Sequence, residues 1–342
     1  MNDEKNLFVK ILGLMAIFTL AACSNDTATQ ESSDKQTSSP VSSEAVATSV
    51  EITDAHGTID VPVNPETVVS LDSRTYATLE AWDISLAAAP KGVMPASSAY
   101  VSDESVQDIG NHREPNLEVL AAVEPDLVIV GQRFGGYYEE IKELVPNAVV
   151  IDLNFDVSEE AETPGENLVN GLKNATLSLG KIFDKTAETE SLTNELDQKI
   201  SEAKVAYDGE STVLSVIVSG GDIGFSAPHS GRVWGPLYEL LDWEPALEVD
   251  NTTSDHQGDE ISVESIAQSD PDWIMVLDRD AAISSDGESV PAKDVIEQAP
   301  ALQDTQAIQS QQVVFAPAET YTNESIETFI DLFGILADAF NQ

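Results

Sequence analysis

Two patterns of apolar positions alternate along this chain. Short continuous runs, Val68 to Leu71, Leu127 to Val130, Ala148 to Ile151, Val213 to Val218, Ile274 to Leu277 and Val313 to Phe315, have the length and composition of buried strands. Stretches with helical spacing lie among them, at Tyr76 to Trp82, Leu117 to Val123, Tyr138 to Leu144 and Ile326 to Phe340. Strand alternating with helix predicts an α/β protein with largely parallel sheets. The longest periodic segment opens on Thr163-Pro164-Gly165-Glu166, an N-cap, a proline at the first helical position and a glutamate placed for a capping box. Leu168, Leu172, Ala175, Leu179, Phe183, Leu192, Leu196, Ile200 and Ala203 then keep largely to one face until Asp208-Gly209 ends the run. One helix of about 40 residues would be near 60 Å long at ~1.5 Å per residue, more than a small domain's width, so it is expected to join two lobes. The predicted division is an N-terminal α/β lobe over 51–163, the inter-lobe helix over 164–207 and a C-terminal α/β lobe over 208–342.

Upstream, an apolar stretch from Leu7 to Leu20 follows Lys5 and ends in Ala21-Ala22-Cys23. It is short for a membrane span and fits a secretory signal over 1–22. Small residues before a cysteine resemble the bacterial lipobox, which implies cleavage before Cys23 and lipidation of its thiol. Residues 24 to 49 are rich in Ser, Thr, Ala and acids without apolar periodicity, the composition of a flexible tether, assigned to 23–50 with the cysteine. A coil of that length spans roughly 28 Å root-mean-square.

An internal echo sharpens the picture. Asn116–Val130 (NLEVLAAVEPDLVIV) aligns without a gap to Ser262–Val276 (SVESIAQSDPDWIMV), each a capped helix, a Pro-Asp turn and a buried strand. Three residues beyond each strand stands an arginine, Arg133 and Arg279. Ligands of parallel α/β sheets bind beyond the carboxyl ends of the strands, so two facing lobes would aim both guanidiniums into one cleft.

Composition changes the reading of those arginines. The 342 residues carry 61 Asp+Glu against 16 Lys+Arg, a formal charge of −45, which excludes a nucleic-acid partner because nothing could neutralise the phosphates. Only five residues are arginine, Arg74, Arg113, Arg133, Arg232 and Arg279, so two at matching strand ends stand out. One cysteine permits no internal disulfide, and four histidines permit few metal sites. No Gly-rich phosphate loop is present.

With these residues in view, the chain resembles, from about residue 51 to 342, the periplasmic-type substrate-binding proteins for siderophores and cobalamin. His56-Gly57, Val61-Pro62 and Pro65-Glu66-Thr67-Val68-Val69 are similar to the family's opening, and Glu114-Pro115-Asn116-Leu117-Glu118 with Glu124-Pro125-Asp126-Leu127 to its first-lobe signature. The resemblance implies the class III periplasmic-binding-protein fold, two Rossmann-like lobes with central, largely parallel sheets joined by one long backbone helix and closing only slightly. Val276-Leu277-Asp278-Arg279-Asp280-Ala281-Ala282-Ile283 resembles the enterobactin/petrobactin-like branch, which binds ferric catecholate siderophores. In that branch arginines on three loops contact the ligand, and Arg133, Arg232 and Arg279 match those positions. A histidine and a tyrosine complete the iron shell of a four-oxygen ligand, and His256 and Tyr321 match them. The family's lysine shortly after the first arginine is replaced here in Phe134-Gly135-Gly136. One acid per lobe docks onto the permease subunits of an ABC transporter, which implies that role for Glu118 and Glu264. Such acids also stabilise a helix dipole by ~0.3–1 kcal/mol without any partner.

The chemistry agrees with the resemblance. Ferric iron prefers oxygen donors, and wrapped in two or three catecholates it forms an anionic complex. Arginine's donor fork suits catecholate oxygens and stacks on their rings. A tyrosine, ordinarily titrating near ~10, becomes a phenolate when iron binds it. The expectation is a monomeric, lipid-anchored, extracytoplasmic binding protein, not an enzyme, with a ferric siderophore as ligand and no cofactor of its own. His56, His112 and His229 are assigned structural or surface roles. The rivals are haem or cobalamin capture, which three arginines would not serve, and a divalent-metal receptor, for which the histidines are too few. A secreted hydrolase built on Ser219-Gly220-Gly221 or on Ser230 beside His229 lacks a Gly-x-Ser-x-Gly elbow. The acidity fits neither the family nor its ferric-siderophore ligand, since an anionic complex would be repelled, and points to a saline habitat that screens the repulsion.

Overall fold

The structure is a computed structural model that describes residues 48–158, 160–283 and 290–342. The signal at 1–22, Cys23 and nearly all of the tether lie outside those residues. The described chain opens in an antiparallel hairpin of β1 (Ser49–Asp54) and β2 (Gly57–Pro62), so Ser49 and Val50, assigned above to the tether, belong to a strand.

The N-terminal lobe follows as β3 (Val68–Ser70), α1 (Tyr76–Ala81), β4 (Ala88–Ala89), α2 (Ala99–Ser102), β5 (Gln107–Asp108), α3 (Leu117–Ala122), β6 (Leu127–Val130), α4 (Tyr138–Leu144) and β7 (Val149–Asp152). Its five strands pair in parallel in the order β5-β4-β3-β6-β7. Alternation along β6 feeds two cores at once: Leu127 and Ile129 enter one, Val128 and Val130 the other.

Residues 164–206 are helical, as the periodicity predicts, but in two pieces, α5 (Pro164–Ile182) and α6 (Thr186–Ala206). Asp184 adopts a left-handed backbone (φ 54°), and the Lys185 N–H donates to the Gly180 carbonyl (2.8 Å), a Schellman-type stop. A Cβ on Gly180 would lie 2.0 Å from Thr189 Oγ1, so only glycine lets α6 double back this closely. Lys173 and Asp197 pair across the hairpin (2.6 Å). The single 60 Å helix is therefore corrected to a bridging helix of 19 residues, about 28 Å. Leu168 and Leu172 of α5 sit in the C-terminal core while Ala175, Leu179 and Ile182 sit in the N-terminal core, so α5 bridges the two lobes.

The C-terminal lobe contains β8 (Thr212–Ser219), β9 (Asp222–Phe225), α7 (Gly235–Leu241), β10 (Glu244–Pro245), α8 (Val263–Gln268), β11 (Trp273–Asp278), α9 (Arg279–Ile283), α10 (Ala292–Gln298), α11 (Gln306–Gln309), β12 (Val313–Phe315) and α12 (Ile326–Phe340). The parallel order is β10-β8-β11-β12, with β9 antiparallel on β8. Leu196, Ile200 and Ala203 of α6 pack with Phe329, Phe333 and Leu336 of α12 in the C-terminal core.

The echo between Asn116–Val130 and Ser262–Val276 is also three-dimensional. Asn116 caps α3 and Ser262 caps α8, each side chain accepting from an N–H in the first turn. Glu124 and Asp270 hold matching left-handed turns (φ 47° and 45°). Asp126 Oδ2 accepts from the Thr67 N–H (2.9 Å) and Asp272 Oδ2 from the Thr212 N–H (2.8 Å), so each Pro-Asp turn clamps the entrance to the neighbouring strand.

Candidate functional site

The carboxyl ends of both sheets face one cleft of about 1170 Å³. Arg133, Arg232, Arg279, His256 and Tyr321 all line it. Arg133 sits in a 3₁₀ segment, Gln132–Tyr137, directly after β6. Arg279 opens α9 at the end of β11, and its neighbours explain the acid-rich string around it. Asp278 accepts from the Ala281 N–H (2.8 Å) and the Ala292 N–H (2.9 Å), and Asp280 from the Gly221 N–H (3.3 Å). Both acids thus tie down backbone and leave Arg279 to the cleft, where its Nη1 donates to Ser219 Oγ (3.0 Å).

Arg232 is held by a compact loop in which the Gly231 N–H donates to Ala227 O (2.8 Å) and the Gly235 N–H to Gly231 O (2.7 Å). The next residue, Val233, has φ 65°, a conformation that a β-branched side chain rarely adopts, so strain is stored beside the arginine. His256 lies on a loop docked against β9. Thr253 Oγ1 donates to Asp259 Oδ1 (2.8 Å), and a Cβ on Gly224 would fall 2.0 Å from the Gln257 carbonyl, so glycine is needed for that approach. The imidazole is 41% exposed, with Nδ1 3.6 Å from Asp255.

Tyr321 is the centre of the arrangement. It is buried, and three guanidinium carbons surround its ring at 5.4 Å (Arg133), 4.4 Å (Arg232) and 5.3 Å (Arg279) from the centroid. Arg133 Nη2 donates to the Tyr321 carbonyl (2.9 Å), so a residue of the C-terminal lobe is gripped by one of the N-terminal lobe. Burial and the neighbouring Arg232 charge both lower the pKa of Arg133.

Behind the triad lies an ion network that sequence reasoning missed. Arg232 donates to Glu324 Oε1, and Arg74 Nη2 stands 3.7 Å from Oε2 of the same carboxylate. Arg74 is covered by the Phe155 ring, 3.8 Å from its centroid, and its backbone N–H donates to Asp72 Oδ1 (3.1 Å). Burial works to raise the Glu324 pKa, but the guanidiniums of Arg232, Arg74 and Arg133 outweigh it and the carboxyl titrates below its ordinary value.

Three further basic side chains of the cleft come from the N-terminal lobe: Lys91, His112 and Arg113. Their loops follow β4 and β5, strands of two residues each that carry no periodic signal. His112, assigned above to a structural or surface role, faces the cleft. Burial, followed by Arg133, Arg113 and Arg232, lowers its pKa and favours the neutral ring, and its Nδ1 is shielded without a partner. Five of the sixteen Lys+Arg of the whole sequence thus line one cleft. Among the described residues Lys91, Arg113, Arg133 and Arg279 have no carboxylate within ion-pair distance, in a chain with 61 acids.

Glu118 and Glu264 occupy the first turns of α3 and α8, exposed and outside the cleft. The hydrolase candidates are otherwise engaged: Ser219 Oγ accepts from Arg279, and Ser230 Oγ pairs with Thr252 Oγ1 (2.9 Å) rather than with His229.

Two α/β lobes with cationic groups converging between them define a ligand-binding protein of the two-lobed class. The chain belongs to the periplasmic binding protein family, whose model matches residues 68–320. Among its relatives is the petrobactin-binding protein YclQ of Bacillus subtilis, 26% identical over 320 residues, 93% of this chain and 92% of YclQ. The ferric-anguibactin-binding protein FatB of Vibrio anguillarum is 28% identical over 259 residues, 75% of this chain and 76% of FatB. The solved structure of the siderophore-binding protein BauB, bound to two acinetobactin molecules and ferric iron, superposes with a TM-score of 0.72 at 24% identity, covering 85% of this chain and 98% of BauB.

Proposed function

We propose that this protein captures a ferric catecholate siderophore in the inter-lobe cleft, outside the cytoplasm, and delivers it to an ABC importer for iron uptake. The observation that carries the reading is the triangle of guanidiniums from both lobes around the Tyr321 ring. Three delocalised cations around one aromatic ring form a receptor for a flat, anionic, oxygen-rich ligand. Among the described residues no group of three or more His, Cys, Asp or Glu stands ready to hold a bare metal ion, so iron would enter with its own oxygen donors. Tyr321 and His256 then complete the shell of a ligand that offers only four oxygens. The relatives named for petrobactin and ferric anguibactin support the ligand class. Retention at the membrane would come from lipid on Cys23; a further relative, YfiY of Bacillus subtilis, is called a probable siderophore-binding lipoprotein. The protein would act as a monomer and deliver its ligand without chemical change.

The test is a titration of the four tryptophans' fluorescence with ferric bis-catecholate, ferric tris-catecholate, a ferric hydroxamate and haem, each added separately. Saturable quenching by a catecholate complex is expected, with a tyrosinate-to-iron charge-transfer band that Tyr321→Phe abolishes. Tight binding of haem or hydroxamate with no response to either catecholate would overturn the ligand and leave the fold unchanged.

A further inference from the structure

Glu324 puts a negative charge where the ligand's own should act. It is 6% exposed, and its carboxylate lies between Arg232 of the cleft and Arg74 behind it. Arg232 Nη2 is shared between this carboxylate and the Tyr321 carbonyl (3.4 Å), so that nitrogen is turned toward the 321–324 segment. Four guanidiniums, those of Arg74, Arg133, Arg232 and Arg279, cluster here, and the buried carboxyls of Glu324 and Asp72 lie among them. Among the described residues only Glu324 pairs directly with an arginine of the triad. A buried anion with cationic partners on both sides can stiffen the site, and it also subtracts a charge from the field the ligand meets.

We infer that Glu324 is a specificity-determining counter-charge, which lowers the cleft's preference for highly charged ferric complexes and so favours a ferric bis-catecholate over a tris-catecholate. The inference rests on the ferric-catecholate reading. Its arithmetic is that of the complexes: Fe³⁺ with two doubly deprotonated catecholates carries one negative charge, and with three it carries three. Any fixed negative charge near the site therefore penalises the second complex three times as strongly as the first. Removing the charge relieves the tris-catecholate more, whatever the local dielectric. A purely structural role for Glu324 makes no such distinction, since loosening Arg232 weakens both complexes alike.

The experiment measures the affinities of the full-length protein for both complexes at one ionic strength and takes their ratio. Glu324→Gln, nearly isosteric, is expected to shift the ratio toward the tris-catecholate by about tenfold or more. Arg74→Met keeps the packing on Phe155 and deletes a positive charge, so it should shift the ratio the opposite way. It also serves as an independent test should Glu324→Gln fail to fold. Glu324→Asp retains the charge and should keep the wild-type ratio even where both affinities fall. An unchanged ratio in the folded variants, or an equal loss for both complexes, would overturn the inference while leaving catecholate capture in place. Failure of the wild-type protein to bind either complex removes the catecholate reading itself, and this inference with it.

Discussion

Asp72 carries a charge that burial disfavours. Burial pushes its carboxyl up to about 6, the nearby Arg74 guanidinium and backbone N–H pull it back only in part, and Oδ2 has no partner. The folded value lies above the ordinary 3.8, so between those two pH values the folded state keeps a proton that the unfolded chain has released. Stability from this group is therefore full below the unfolded value and is lost as pH rises through about 6. Asp72→Asn retains an acceptor for the Arg74 N–H and removes the charge. It should raise stability by on the order of 1–3 kcal/mol at pH 8 and by little at pH 4. Urea unfolding at both pH values checks this; an equal change at both would show that the charge is not responsible. Asp72, Arg74 and Glu324 also mark a limit of sequence reading. Arg133 and Arg279 were legible because the echo put two scarce arginines at equivalent strand ends. Arg74 and Glu324 belong to different lobes, and no local pattern shows that a chain so rich in acids has buried one of them against two guanidiniums.

At the scale of elements, the central strands β3, β6, β7, β8, β11 and β12 were legible because each is a buried apolar run: β6 and β11 divide their side chains between two cores. The helix α12 was legible because its apolar face fills one core. The break between α5 and α6 was not. The same hydrophobic face continues across it, and the stop uses an aspartate rather than the glycine that usually marks a left-handed C′ position. The two-residue strands β4 and β5 were equally silent, and with them went Lys91, His112 and Arg113. The α3 and α8 pair, by contrast, was recognisable down to its capping residues. Its exposed acids carry an element-scale prediction. Glu118→Lys combined with Glu264→Lys should leave siderophore affinity within about twofold, because neither residue touches the cleft, and should cost each helix ~0.3–1 kcal/mol from the dipole. Uptake of radiolabelled iron by cells relying on this protein should fall at least tenfold if these acids engage the importer. Normal uptake by a stable double variant would reduce both residues to helix-end stabilisers.

For the whole molecule the governing fact is a formal charge of −45 around a cleft lined by five cations. These two features act at different ranges. A ferric complex approaching from afar meets the summed negative field, while one already in the cleft meets guanidiniums in contact with it. Added salt separates the two, since the screening length falls from ~30 Å at 0.01 M to ~3 Å at 1 M, leaving short contacts nearly intact. The association rate of an anionic ferric catecholate should therefore rise severalfold between those salt concentrations, with a smaller change in dissociation. This is the reverse of the usual behaviour of a cationic site facing an anion. Stopped-flow quenching of tryptophan fluorescence measures both rates. An on-rate that falls as salt is added would mean that the cleft's local potential already dominates at long range, and the acidic surface would then need an explanation other than a saline medium.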